Sequence, residues 1–246
     1  MKTIFISDLH IQGLKDPTLK VFLAFLDRLE GSVSRLVIAG DLFDFWVGFN
    51  SVVYAEYVPI LERLWRWAEQ GVHIDYIEGN HDFYLGDFFT RALNVNIISK
   101  DIYFNLDSWT VYVAHGDGIN PKDRGYHFLR WFLRTPLVRV LIKLLPASWL
   151  WKIGRSSSHV SRHTRNVDAQ TAKFYRAFAY KKLEEGSADI VILGHSHTPE
   201  EKEWEIGGKK KYYFNLGDWI THFSYLEYED GNFHLKKFIF TEASSP

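Results

Sequence analysis

Residues 35 to 44 read RLVIAGDLFD: a short apolar run, a glycine, then two acids flanking Leu42 and Phe43. An apolar run without polar alternation is the pattern of a strand covered on both faces, and a glycine directly after it permits a tight turn. The same layout recurs along the chain. Apolar runs at 3–7 (TIFIS), 73–78 (HIDYIE), 109–114 (WTVYVA) and 188–193 (ADIVIL) precede Asp8-Leu9-His10, Gly79-Asn80-His81-Asp82, His115-Gly116-Asp117 and Gly194-His195-Ser196-His197. Five strands thus end in metal-ligating residue types, and loops beyond strand carboxyl ends line the ligand crevice of α/β sheets. Helical stripes lie between them: Leu19, Phe22, Leu23, Leu26 and Leu29, then Val58, Leu61, Leu64, Trp65 and Ala68. After residue 200 the pattern turns to hairpins, EKEWEI and KYYFNL about Gly207-Gly208, then FSYLEYE and FHLKKFIF about Asp230-Gly231. The expected architecture is α/β, two sandwiched sheets flanked by helices, in one domain over 1–246.

Composition narrows the function classes. The 246 residues include no cysteine, which excludes disulfides, thiolate metal sites and a cysteine nucleophile. No signal-type apolar segment or long uninterrupted apolar run occurs, so the expectation is a cytoplasmic protein that does not span a membrane. The net charge of −1 hides an uneven distribution, because residues 121 to 165 carry ten Lys and Arg against Asp123 alone. Predicted helices at 126–135 and 137–145, broken by Pro136, place Arg130 with Arg134 and Arg139 with Lys143 four residues apart among Phe128, Trp131, Phe132, Leu141, Trp149 and Trp151. This composition suits an interfacial amphipathic hairpin that meets an anionic membrane or a phosphate, with a core-packing hairpin as the alternative. The interleaved aliphatic residues argue against a nucleic acid. No obligate protein partner is inferred.

Donor chemistry sets the kind of site. Asp8, His10, Asp41, Asn80, His115, His195 and His197 offer seven nitrogen and oxygen donors, too many for one tetrahedral ion. Two divalent ions bridged by a carboxylate are implied, the layout for in-line attack on phosphorus. Imidazole and carboxylate donors without sulfur suit manganese, iron, zinc or cobalt.

In the order D-x-H, G-D-x-x-D, G-N-H-D, H and G-H-x-H, spanning residues 8 to 197, the chain resembles the calcineurin-like metallophosphoesterases. The resemblance implies a β-sandwich with helices on both sides. It implies one ion held by Asp8, His10, Asp41 and His197, and another by Asp41, Asn80, His115 and His195. His81 would be the catalytic residue, stabilising developing charge or protonating the leaving oxygen. Asp82 or Asp44 would orient it, with capping or packing as the alternative role for both acids. Within the superfamily, length and layout are similar to the UDP-2,3-diacylglucosamine hydrolases of lipid A assembly. The features that carry this are Trp46-Val47-Gly48 after the second motif, Phe83 and Leu85-Gly86 after the third, and Asp123 with Gly125-Tyr126 before a helical insertion at about 120–182. The likeness implies that this insertion caps the site and holds acyl chains. It implies hydrolysis of a UDP-linked acylated glucosamine to UMP and a lipid 1-phosphate with manganese as the first choice of metal, on the inner face of the inner membrane. Substrate contacts would come from Asn80, His81, Asp123, Arg124, Tyr126, Ser161, Arg162 and His195. One departure stands out: the best-known lipid hydrolases carry arginine where this chain has His81, and histidine cannot copy the bidentate contacts of arginine with pyrophosphate. The alternative is therefore a metallophosphoesterase of the same fold acting on another phosphodiester or pyrophosphate.

Overall fold

Strand alternation builds the layers. In β1 (Lys2–Ile6) the side chains of Ile4 and Ile6 join one apolar cluster while Phe5 joins another, and in β2 (Val33–Ile38) Leu36 and Ile38 part from Val37 in the same way. Both faces of these strands are covered, which is why their sequences show no polar alternation. The computed structural model describes residues 1–48, 52–122, 124–133, 135, 137, 138, 140, 144–146, 149 and 169–241, less the side chains of 124, 126, 129, 130 and 169.

The first sheet continues with β3 (His73–Ile77) and β4 (Asn96–Ile98), running parallel to β1 and β2, and with the hairpin β10 (Ser224–Glu229) and β11 (Asn232–Lys237). Its order is β11-β10-β1-β2-β3-β4. The second sheet has the order β5-β6-β7-β9-β8, formed by β5 (Asp101–Leu106), β6 (Trp109–Ala114), β7 (Ile190–Leu193), β8 (Glu200–Ile206) and β9 (Lys209–Asn215). Between the sheets Phe5, Val37 and Ile77 meet Val111, Val113, Ile190, Ile192 and Phe214. Helices α1 (Pro17–Leu29), α2 (Val58–Glu69) and α3 (Asp87–Leu93) cover the outer face of the first sheet. Helix α4 (Arg124–Leu133) begins the basic segment, and α5 (Ala169–Glu184) buries Tyr175, Ala179 and Leu183 against Tyr112, Val191 and Leu193. The expected two-sheet α/β sandwich is the observed one.

Details differ from the sequence reading. Helix α2 buries Ile60, Leu61, Leu64 and Trp67, whereas Val58 and Trp65 of the expected stripe are 50% and 51% exposed. Val58 and Trp65 stand at one margin of the helix's apolar half, beside the polar side, so periodicity found the stripe but not which margin of it is buried. Residues 169–182, the last part of the expected insertion at about 120–182, lie in α5, which packs on the second sheet. Arg130, Arg134, Arg139 and Lys143 lie outside the described side chains. Among the described residues no helix is long and apolar enough to cross a membrane.

Candidate metal centre

Hydrogen bonds between backbones lace the loops that follow β1, β2, β7 and β9. The amides of Leu9 and His10 donate to the carbonyl of Asp41, Asp8 N donates to Gly40 O, and Trp219 N donates to Asp8 O. His195 N donates to Asp8 Oδ2 at 2.7 Å. The spacing of Asp8 with His10 and of His195 with His197, two residues apart, predicts extended segments whose alternate side chains point the same way, but the backbone there is not extended. Asp8, His10, Asp41, His195 and His197 all adopt positive φ, between 49° and 64°. Non-glycine residues reach this left-handed region only at a cost, so the surrounding lacing holds strain where the side chains converge. The glycine of the third loop serves space: a Cβ on Gly79 would stand 2.1 Å from Asp41 Oδ1 and 2.6 Å from Asp41 N. Gly79→Ala is expected to destabilise the fold by about 3 kcal/mol, since the clash involves backbone and a fixed carboxylate. Thermal unfolding and elemental analysis check this, with both melting temperature and bound metal falling.

The structure brings the seven donors together. Around Asp8 Oδ1 lie His197 Nε2 at 3.5 Å and His10 Nε2 at 3.8 Å, and those two nitrogens are 3.3 Å apart. Around Asp41 Oδ2 lie His115 Nε2 at 3.5 Å and His10 Nε2 at 3.6 Å. His115 Nε2 is 3.2 Å from both Asn80 Oδ1 and His195 Nδ1. Asp8 Oδ1 and Asp41 Oδ2 are buried without a hydrogen-bond partner. A buried carboxylate oxygen facing imidazole nitrogens with nothing bonded to it is costly unless a cation sits among them, so these residues fit divalent metal ions. Asp41 Oδ2 touches both donor groups.

The electrostatics fit as well. Burial opposes ionisation of Asp8 and Asp41, yet the neighbouring imidazoles hold both carboxyls below the ordinary carboxylate range. Burial pulls the His10 ring down to about 4 despite Asp8 beside it. It opposes protonation of His115 too, but there the Asp41 carboxylate outweighs it and lifts the ring to about 10. A proton on His115 balances the Asp41 charge, and a cation would take over that task.

Outer contacts aim the rings. His115 Nδ1 donates to Ala39 O at 2.8 Å, and His81 Nδ1 donates to Asp44 O at 2.7 Å. His81 is therefore oriented by the Asp44 backbone carbonyl. Asp82 has a different task from orienting His81. Its carboxylate accepts from Gly79 N, Asp41 N, Leu42 N and Tyr76 Oη, tying the second and third loops together. Asn80 is partly exposed at the edge of the cluster, as are His195 and His197. Of the other expected substrate contacts, Asp123, Ser161 and Arg162 lie outside the described residues, and Arg124 and Tyr126 stand on α4 with their side chains outside them. Sequence reasoning missed Asp218, whose Oδ2 lies 3.3 Å from His197 Nδ1. Its one signal was an acid following a strand end and a glycine, Asn215-Leu216-Gly217-Asp218.

Residues 1–199 match the calcineurin-like phosphoesterase family. The chain belongs to that family. As a phosphoesterase of this family it is a hydrolase that uses divalent metal ions, and the donor cluster lies within the matched residues. Its similarity to curated proteins runs nearly end to end. It is 25% identical to the UDP-2,3-diacylglucosamine hydrolase of Psychromonas ingrahamii, covering 96% of each chain. It is 30% identical to the UDP-2,3-diacylglucosamine hydrolase of Pseudomonas aeruginosa, covering 89% of this chain and 91% of the other. Among solved structures, the E. coli phosphoesterase Yfce is 20% identical with a TM-score of 0.45, over 94% of this chain and 89% of that one.

Proposed function

We propose that the chain hydrolyses the pyrophosphate of a UDP-linked diacylglucosamine to UMP and a lipid 1-phosphate. The observation that carries the reading is where the apolar part of the basic segment meets the donor loops. Val138 and Leu133 pack on Val47, Phe83, Phe45 and Tyr84, and Phe83 and Phe45 directly follow Asp82 and Asp44. Beyond this contact Phe128 and Trp131 are 66% and 64% exposed, and Leu137, Leu144 and Trp149 are exposed with them. Exposed large apolar side chains on a segment whose sequence carries ten Lys and Arg against one acid suit acyl chains and an anionic bilayer, and they support peripheral attachment at the cytoplasmic face of the inner membrane. The part of the insertion at about 120–182 that precedes α5 would supply this lipid-facing surface.

Asp8, His10, Asp41 and His197 would hold one ion, and Asp41, Asn80, His115 and His195 the other. Manganese is the metal proposed, on the likeness to the lipid hydrolases; the donor set suits it as it suits iron, zinc or cobalt. When bound, the two ions acidify water and neutralise charge on the phosphoryl oxygens. Asp41, facing both donor groups, fixes their separation. His81, aimed by the Asp44 carbonyl, keeps Nε2 for the leaving oxygen. Asn80 and His195 border the opening and contact the phosphate, with Asp123, Arg124, Tyr126, Ser161 and Arg162 as further substrate contacts.

Purified protein with Mn2+ and UDP-2,3-diacylglucosamine in detergent micelles is expected to release UMP. Turnover of a simple phosphodiester without UMP release would reject the lipid substrate and favour the second reading, a phosphoesterase acting on another diester or pyrophosphate. His81 in place of arginine is the observation on its side. The double variant Phe128→Ser, Trp131→Ser separates the two. Each large apolar side chain removed from a lipid contact forfeits about 1.5–3 kcal/mol, so the apparent KM for the lipid rises at least about tenfold. Turnover of a soluble diester stays unchanged under either reading, and an unchanged lipid KM counts against the apolar patch as the acyl site.

A further inference from the structure

The connection from β9 to β10 passes beside the donor cluster without any of its residues belonging to it. It lies beyond residues 1–199, the part that matches the family. Its fold is closely determined. Gly217 takes a φ of +73°, and a Cβ there would stand 2.3 Å from Ser224 Oγ. Ser224 N donates to Asp218 O. Trp219 is fully buried among Phe22, Phe25 and Phe238, and its amide donates to Asp8 O at 3.1 Å. The connection thus braces the backbone of one donor, Asp8, from the hydrophobic core.

It braces a second donor through a side chain. Asp218 is buried, and its Oδ1 accepts from Thr221 N and His222 N, both at 2.9 Å, with His222 Nδ1 at 3.2 Å. Its Oδ2 faces His197 Nδ1 at 3.3 Å. An ionised carboxylate only accepts, so the hydrogen of His197 sits on Nδ1 and the lone pair on Nε2. That Nε2 is the atom 3.5 Å from Asp8 Oδ1 and 3.3 Å from His10 Nε2. The rings of His81 and His115 are aimed by backbone carbonyls, whereas His197 has a carboxylate behind it. A carboxylate both fixes the tautomer and raises the basicity of the ring it contacts.

We infer that Asp218 is a positioning residue for the metal centre, holding His197 in the tautomer and orientation that bind the ion shared with Asp8 and His10. The inference rests on the metal reading of the site. It predicts an unusual outcome for the isosteric change Asp218→Asn. The two backbone amides of Thr221 and His222 claim the carboxamide oxygen, so the NH2 group turns toward His197. A donor there forces Nδ1 to accept and places the ring hydrogen on Nε2, the atom the metal needs.

The test is Mn2+ titration of the full chain by calorimetry, together with imidazole nitrogen–proton correlation spectra of the metal-free protein, His197→Gln assigning the signal. Wild type is expected to bind two Mn2+ with His197 protonated on Nδ1. Asp218→Asn is expected to weaken one of the two ions ten- to a hundredfold and to move the proton to Nε2. His222→Ala, which removes a different partner of Asp218, leaves both ions at wild-type affinity. Two ions bound to Asp218→Asn as tightly as to wild type would overturn the role of Asp218 alone. A wild-type ring protonated on Nε2 would do so without any variant. A wild-type chain that binds no Mn2+ would overturn the metal reading itself.

Discussion

Asp41→Asn is expected to lower phosphoester hydrolysis by about a thousandfold while the chain remains folded. Asp41 Oδ1 accepts the His81 amide at 2.9 Å, which leaves Oδ2 toward His10 and His115 at 3.6 and 3.5 Å. An asparagine must give its carbonyl oxygen to that amide, so its NH2 group occupies the place of Oδ2. A donor then faces ring nitrogens whose lone pairs the ions require, and the atom common to both donor groups is lost. Charge neutralisation by metal is worth several kcal/mol in such reactions, and about 4 kcal/mol corresponds to a factor of about a thousand. In a Mn2+ titration the number of ions bound should fall, relative to wild type, by at least one per chain. A variant that kept wild-type kcat on a phosphodiester with Mn2+ present would remove the metal mechanism altogether.

The convergence of the loops was readable because chemistry interrupts pattern at fixed places. Apolar runs covered on both faces leave polar residues only at their ends, and β1, β2, β3, β6 and β7 each deliver such an end to one region. Turn chemistry served equally well for the hairpins, where Gly207-Gly208 and Asp230-Gly231 connect β8 to β9 and β10 to β11. Weak local signals hid the rest. Strand β4 has three residues and α3 has seven, too short for any period to show. Strand β5 at the sheet edge alternates exposed Asp101, Tyr103 and Asn105 with half-buried Ile102, Phe104 and Leu106, a period of two that six residues carry only weakly.

Side-chain tasks inside the site were harder to read than its location. Sequence places Asp8 and His10, or His195 and His197, two residues apart and suggests an extended segment. The structure uses left-handed backbone at all four, which only the tertiary lacing sustains. Nor does order along the chain reveal which acid supports which ring. His81 finds the carbonyl of Asp44, and His197 finds an acid 21 residues later, across the connection between sheets.

The reassignment of Asp82 leads to the largest expected loss of stability. Its two oxygens accept from Gly79 N at 2.8 Å, Leu42 N at 2.9 Å, Asp41 N at 3.1 Å and Tyr76 Oη at 2.6 Å. Alanine would leave four buried donors without an acceptor, and each unpaired group costs about 1–3 kcal/mol. Burial and the nearby Asp41 charge push the Asp82 carboxyl up to about 6, so removing it relieves part of that cost. A net loss of about 4 kcal/mol remains, a large share of the 5–15 kcal/mol typical of a domain. The two readings of Asp82 then diverge in urea. As a clamp between loops, its removal shifts the unfolding midpoint strongly, and activity falls along with metal retention. As an orienting carboxylate for His81, its removal would leave the midpoint in place and lower kcat alone. Asp82→Asn sharpens the contrast, because the amide keeps one accepting oxygen for two of the donors and should lose about half as much stability. An Asp82→Ala protein with the wild-type urea midpoint and a depressed kcat would return the residue to His81.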